Sequence, residues 1–229
     1  MKSAALYVHI PFCLKKCSYC DFFSVENFGR IDDLYLECLK NEAAFYAEKY
    51  KIDFWSTIYI GGGTPSLLSA SQIEKLAVYL KNTCLCKNIP PLEFTIEMNP
   101  ESVSKEKLDS AWKNGITRLS LGIQSLNKNA LKSVERHCSA EKAFAALETV
   151  KSCWKGELNL DAIAGLPCQS EEDFLLSLEK IISYNPGHIS LYTLTVEEKT
   201  PLARNISSGK ISFDFDEADS QWLSGRDLL

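Results

Sequence analysis

Residues 6–20 read Leu6-Tyr-Val-His-Ile10, then Pro11-Phe12, then Cys13-Leu-Lys-Lys-Cys17-Ser-Tyr-Cys20. The first five alternate, with Leu6, Val8 and Ile10 on one face of an extended chain and Tyr7 and His9 on the other. Pro11 ends the run, because it has no amide hydrogen to give to a ladder. The chain then enters a loop with three cysteines. A short strand followed at once by chemistry-bearing side chains is the opening unit of an α/β fold whose site lies at the carboxy ends of its strands.

The same pattern recurs. Further strands are expected at 57–60, 92–97, 118–123, 158–163 and 188–194, the first being 6–10. In the third, Leu92, Phe94 and Ile96 oppose Glu93, Thr95 and Glu97. In the fourth, Leu119, Leu121 and Ile123 oppose Arg118, Ser120, Gly122 and Gln124, and in the fifth Leu158 and Leu160 oppose Asn159 and Asp161. Parallel strands buried on both faces read as near-continuous apolar runs. These alternate, so one face is expected to pack on helices and the other to line a polar lumen.

Helical signals separate the strands. Ile31, Leu34, Tyr35, Cys38 and Leu39 share one face by their spacing. Ser69 to Gln72 is a capping box, Ser104 opens a helix that stops at Asn114-Gly115, and Ser170 opens another whose first turn is acidic. Right-handed crossovers between six such units give a parallel sheet that curls toward a barrel. Residues 1–212 are expected to form this core and 213–229 its final helix, the start of a truncated carboxy-terminal region.

The 229 residues are 45% hydrophobic and 24% charged, which supplies a sizeable core without disulfide staples. Net charge is −5, and no long run of Lys and Arg offers the footprint of a nucleic-acid binder. No stretch approaches ~18 uninterrupted apolar residues, so no membrane span is expected. The amino terminus does not resemble a signal peptide, and the protein is expected in the cytoplasm. In a reducing compartment nine cysteines point to metal or redox use.

Thiolates are the usual protein ligands of iron–sulfur clusters. Cys13, Cys17 and Cys20 suffice for three irons of a [4Fe–4S] cluster and leave the fourth open for a ligand. A Cys17–Cys20 redox dithiol has no need of Cys13, and three merely buried cysteines do not crowd beside Lys15 and Lys16. Structural zinc with His9 as fourth ligand stays open as the alternative. Gly61-Gly-Gly-Thr-Pro65 follows the second strand and lets backbone approach a ligand closely, although such turns are often only turns. Glu97, Gln124 and Asp161 sit at strand ends on the polar face; singly each reads as a solvated end residue, together as one lining. Arg136 reads alone as half of a surface ion pair. Cys38 is expected in the core and His188 in a structural role, while Cys84-Leu-Cys86 receives no role.

Tyr7-Val-His-Ile-Pro-Phe-Cys13, Cys17-Ser-Tyr-Cys20-Asp21-Phe22, Gly61-Gly-Gly-Thr-Pro65, Ile96-Glu97-Met-Asn-Pro100, Leu119-Ser-Leu-Gly-Ile-Gln124 and Asp161-Ala-Ile-Ala-Gly-Leu-Pro167 occur in order. As a set they resemble the radical S-adenosylmethionine (SAM) proteins, in the group that contains oxygen-independent coproporphyrinogen III oxidase and its haem-chaperone paralogue. The resemblance runs from about Leu6 to the end of the chain. It implies a partial (β/α)6 barrel, with Cys13, Cys17 and Cys20 on a [4Fe–4S] cluster that an external electron donor reduces. It also implies that Tyr7, Gly62 and Glu97 contact cluster-bound SAM. Tyr19, Gly63, Thr64, Gln124, Arg136 and Asp161 line the rest of the pocket, where the oxidase group holds a second SAM. The implied chemistry is one-electron cleavage of the sulfonium to methionine and a 5′-deoxyadenosyl radical.

Two departures from the oxidase pattern favour the chaperone branch, whose partners are haem and acceptor haemoproteins. Phe22 occupies the position of the oxidase's additional cysteine, and the oxidase's extension before the first strand is missing. A third departure bears on haem itself. The family's carboxy-terminal domain, with its haem-associated motif, lies outside these residues.

Overall fold

Six parallel strands pair in chain order in the computed structural model, which describes residues 1–27, 30–84, 86 and 89–229. They are Ser3–Ile10, Phe54–Gly62, Glu93–Met98, Arg118–Gln124, Glu157–Ala164 and His188–Thr193. The first and sixth strands are edges, so the sheet is an open, partial barrel. Register aligns Val8 with Ile60, Ile60 with Ile96, Met98 with Leu121 and Leu121 with Leu160. That brings the strand ends, and the loops leaving them, to one level.

The expected alternation holds in the sheet. Ile10, Ile60, Phe94, Ile96, Leu119 and Leu121 are fully buried on the outer face, against helix residues such as Leu76, Leu108 and Leu147. Five crossover helices cover that face, α1 (Asp33–Tyr50), α2 (Ala70–Lys81), α3 (Lys105–Lys113), α5 (Ala140–Cys153) and α6 (Glu171–Ile182), together with α8 (Phe215–Leu228), which follows the last strand. Two short helices, α4 (Lys128–Ser133) and α7 (Pro201–Ser207), are additions that no periodicity announced. The capping box at Ser69 is complete in both directions, with the Gln72 amide donating to the Ser69 hydroxyl at 3.2 Å and the Ser69 amide donating to Gln72 Oε1 at 3.1 Å. The Ser104 and Ser170 caps form as expected, and Gly115 takes a left-handed φ of 87° after α3.

Three expectations need correction. The third strand starts at Glu93, and Leu92 is 90% exposed. On α1 the buried face runs through Leu36, Ala43 and Ala47, while Cys38 is exposed and Leu34 is 67% exposed. The two alanines permit close approach to the sheet, and that turns the helix away from the face that larger side chains suggested. The first strand also begins earlier, at Ser3, and its neighbour runs from Phe54 to Gly62, because ladder pairing extends beyond the alternating residues. Of Cys84-Leu-Cys86, the central leucine lies outside the described residues.

Helix α8 closes over the ends of the fifth and sixth strands. Trp222 Nε1 donates to Leu191 O at 3.2 Å, and the Gln221 amide accepts from Gly165 N at 2.9 Å while donating to Gln169 O at 2.9 Å. Gly165 has φ 77°, and a Cβ there would lie 2.3 Å from Ala218 Cβ. Gly165→Ala is therefore expected to destabilise the chain by about 2 kcal/mol, from overpacking plus left-handed strain, and to lower Tm by about 4–8 °C. Gly209→Ala shares the left-handed strain but meets nothing within 4 Å, so calorimetry should find it at about half that cost.

Candidate metal and cofactor site

The cysteine loop folds back on the end of the first strand. Phe12–Cys13 pairs with Val25–Glu26 in a two-residue parallel ladder, and Val25 N and Asn27 N donate to Pro11 O and Cys13 O at 2.7 and 2.8 Å. Cys20 N donates to Cys17 O at 3.1 Å, which turns the last two thiols toward one side. The loop is fixed from outside by Ser18, whose amide donates to Val134 O at 3.0 Å and whose carbonyl accepts from Leu202 N at 2.9 Å. Lys15 pairs with Glu135 at 3.1 Å, and Lys16 Nζ donates to Phe22 O at 2.8 Å.

His9 does not join the thiols. Its Nδ1 meets the Tyr7 hydroxyl at 3.0 Å and its Nε2 meets Phe23 O at 2.9 Å. Both ring nitrogens are thus committed, which argues against His9 as a fourth zinc ligand. Among the described residues no three His, Cys, Asp or Glu side chains gather tightly enough to share one ion. The three cysteines line one cavity.

The glycine turn presses against this loop. Gly62 has φ 117°, and a Cβ there would sit 2.7 Å from the His9 ring. A Cβ at Gly63 would lie 3.0 Å from Cys13 Sγ. A side chain at Gly63 would crowd Cys13, and one at Gly62 the His9 ring. Glu97, from the third strand, accepts from Gly62 N at 3.1 Å and from the Tyr59 hydroxyl at 2.7 Å. Asn99 donates from Nδ2 to Thr64 Oγ1 at 3.0 Å, and Thr64 Oγ1 lies 3.6 Å from Cys13 Sγ.

Arg136 turns inward. Its guanidinium donates to the Tyr19 hydroxyl at 3.2 Å, Asn99 Oδ1 at 3.4 Å and Gly122 O, and approaches Cys17 Sγ at 3.9 Å. The surface ion pair belongs to Lys15 and Glu135 instead. Deeper in the lumen, Asn159 Nδ2 donates to Asp161 Oδ1 at 2.6 Å and to Ser120 Oγ at 2.8 Å.

These side chains line one cavity of about 320 Å³. It takes in Cys13, Cys17, Cys20, Tyr19, Gly62, Gly63, Thr64, Glu97, Gln124, Arg136 and Asp161. Of the residues singled out from the sequence, Tyr7 alone stands outside it, 57% exposed on the first strand, its ring stacked 6.1 Å from that of Tyr59. Asn99, Tyr59 and Asn159 were not singled out. Their signal was position, two residues on from Glu97, on the second strand, and two before Asp161.

The donor set fits a metal cluster and a polar, cationic cofactor. Three cysteines line the cavity, and Gly63 leaves room beside Cys13 Sγ. Gln124 Oε1 and Arg136 Nε are buried there with no protein partner, and Gln124 holds a left-handed φ of 70°, a strain typical of functional sites. Burial pushes the Cys20 thiol up, as it does the Glu97 and Asp161 carboxyls, against hydrogen bonds that pull both carboxyls back. Two desolvated carboxylates in one cavity favour a cation between them.

The Radical SAM superfamily profile matches residues 7–181. The chain belongs to that superfamily, whose chemistry uses a [4Fe–4S] cluster and SAM. It is 41% identical over 198 residues to a protein named heme chaperone HemW from Buchnera aphidicola, covering 86% of this chain and 52% of that protein. It is 35% identical over 215 residues to radical S-adenosyl methionine domain-containing protein 1, mitochondrial, from Danio rerio, covering 93% and 48%. The Escherichia coli coproporphyrinogen III oxidase HemN superposes with a TM-score of 0.83 at 28% identity, covering 97% of this chain and 51% of that one. The chain spans about half the length of these relatives. Among the described residues no helix is long and apolar enough to cross a membrane.

Because their carboxyls are pushed up on folding, Glu97 and Asp161 bind more protons in the native chain than in the unfolded one. Their contribution to stability is present below the ordinary carboxylate range and lost as pH rises through the raised values. Urea midpoints of the cluster-free chain should therefore carry a falling component from these groups as pH rises above the ordinary carboxylate range. Glu97→Gln should flatten it, and a slope unchanged by that substitution counts against the assignment.

Proposed function

We propose that this chain is the cluster- and SAM-binding core of a HemW-like haem chaperone. In this reading Cys13, Cys17 and Cys20 hold a [4Fe–4S] cluster, and the complete protein passes haem to acceptor haemoproteins. The observation that carries it is the single cavity in which three thiols, the Gly62–Thr64 turn and two buried carboxylates meet. When bound and reduced, the cluster and SAM supply one-electron cleavage of the sulfonium. The chain's own part is placement. Three thiolates leave one coordination position free, Glu97 and Asp161 receive positive charge, and the Gly62 and Gly63 backbone sets how near the ligand comes. Gln124, Thr64, Tyr19 and Arg136 complete the pocket, and Tyr7 reaches it only by a ring movement from its exposed position.

The branch within the superfamily is read from Phe22, 72% exposed at the rim of the cavity, and from 34–41% identity to proteins named heme chaperone HemW. The second reading, a coproporphyrinogen III oxidase, is favoured by the HemN superposition.

Anaerobic reconstitution should give about four irons and four sulfides per chain, and Cys17→Ala should abolish it. Stoichiometric zinc in protein purified without oxygen would sink the cluster. Adding SAM to the dithionite-reduced protein should change its electron paramagnetic resonance spectrum, and Glu97→Ala should weaken that response with iron content unaltered.

The choice of branch is tested on one sample by haem titration beside an oxidase assay. We expect no conversion of coproporphyrinogen III to protoporphyrinogen IX, and haem transfer to an acceptor once the chain is extended to its relatives' full length. SAM-dependent turnover lost in Cys20→Ala would restore the oxidase.

A further inference from the structure

Asn159 lies on the fifth strand two residues before Asp161, on the lumen face, and is 1% exposed. The two ends of its amide have opposite partners. Nδ2 donates to Asp161 Oδ1 and Ser120 Oγ. Oδ1 accepts from Ser190 Oγ at 3.1 Å and meets His188 Nδ1. Turning the amide over would set its carbonyl against the Asp161 carboxylate and lose the Ser190 donor, so the surroundings fix one direction. His188 is exposed at the far end of the lumen, in a second cavity of about 440 Å³ that Arg118, Glu93 and Glu157 also line. A buried polar chain thus runs from that lower mouth up to the candidate site.

We propose that Asn159 is a positioning residue that holds Asp161 as an ionised acceptor facing the upper cavity, and that His188 and Ser190 act through it by fixing the direction of its amide. The proposal rests on the reading that Asp161 is a binding group of that cavity. Its logic is local. Burial alone favours the protonated carboxyl, while the Asn159 and Ser120 donors and the charge of Arg118 favour the carboxylate. Of these, Asn159 makes the shortest contact, at 2.6 Å, and it reaches the lower mouth through His188. The charged and titratable groups facing Asp161 are Arg118 from the fourth strand, Glu97 from the third and Tyr59 from the second. Those around His188 are Arg118, Glu93 and Glu157; with its Nδ1 proton directed at Asn159 Oδ1, the ring does not also accept from the Arg118 guanidinium 3.1 Å away.

The test is carbon-13 nuclear magnetic resonance of the full chain labelled at aspartate carboxyls, with and without its cluster, across pH. The Asp161 signal is the one missing from Asp161→Asn. In Asn159→Leu, which removes the donors at similar volume, its midpoint should rise by about one pH unit or more, a tenfold change in the ratio of the two forms. His188→Phe, at an exposed position, should raise it by less and should add nothing in the Asn159→Leu background. A merely structural role lowers stability without moving the midpoint, so an unmoved midpoint in folded Asn159→Leu overturns the proposal. If Asn159→Leu does not fold, His188→Phe decides alone, and an unmoved midpoint there overturns it equally. An equal His188→Phe effect in both backgrounds overturns the action through Asn159. The SAM response of the resonance spectrum is read separately. Its absence beside a moved Asp161 midpoint removes the cofactor reading and keeps the role of Asn159.

Discussion

Glu97 accepts from the Gly62 amide and the Tyr59 hydroxyl at once, and those two bonds tie the third strand to the turn that ends the second. A carboxylate in this position has lost most of its water, and only such donors offset that loss. The consequence travels outward. With Gly62 held by Glu97, Gly63 meets Phe12 O and Cys13 Sγ at distances that leave no room for a side chain. The cysteine loop is thereby placed relative to the sheet. Two residues beyond Glu97, Asn99 bonds Thr64 from one side and receives Arg136 from the other, so the same strand end positions both walls of the cavity.

Arg136 supplies the second brace. It reaches from the segment after α4 to the cysteine loop, through Tyr19 and Cys17, and to the fourth strand, through Gly122 O. A guanidinium presents five donors in a fixed plane, and here four go to groups from three separate parts of the chain. That geometry explains why the register irregularity of the fourth strand falls between Gly122 and Gln124. The ladder breaks where a carbonyl is diverted to Arg136, and the freed residue turns its side chain with a left-handed φ. Strain at Gln124 and the bond at Gly122 are two faces of one local departure from regular pairing.

Much of this was legible because period-2 alternation survives in strands that line a polar lumen. Phe94, Ile96, Leu119 and Leu121 could be assigned to the outer face from spacing alone, and with them the polar face of Glu97, Gln124 and Asp161. Capping residues at Ser69, Ser104 and Ser170 worked for the same reason, since a side chain bonding its own helix start is a local event. The misses are tertiary. The buried face of α1 is chosen by Ala43 and Ala47, whose value lies in what they allow the sheet to approach, and Leu34 and Cys38 are left outside. Arg136 was placed in the pocket by the ordered motifs alone, since it is flanked by residues that suit a surface turn and nothing nearby in the chain shows that Tyr19 waits for it. Asn99 and Asn159 read as ordinary strand-end amides until the strands are laid side by side.

The residues that hold the cavity constrain one another, and this bears on where differences between family members can arise. Replacing Gly62 disturbs His9 and Glu97; replacing Asn99 disturbs Thr64 and Arg136; replacing Asn159 disturbs Asp161, Ser120 and Ser190. A network of this kind changes as a unit or not at all. The rim is different. Phe22, Phe23 and Tyr192 present exposed rings around the cavity and the neighbouring sheet edge, and Phe22 meets Lys16 of the cysteine loop through its backbone carbonyl. Side chains there can be exchanged without moving a thiol or a carboxylate. An apolar, exposed rim beside a buried, charged interior separates side chains that are free to vary from those bound into the network.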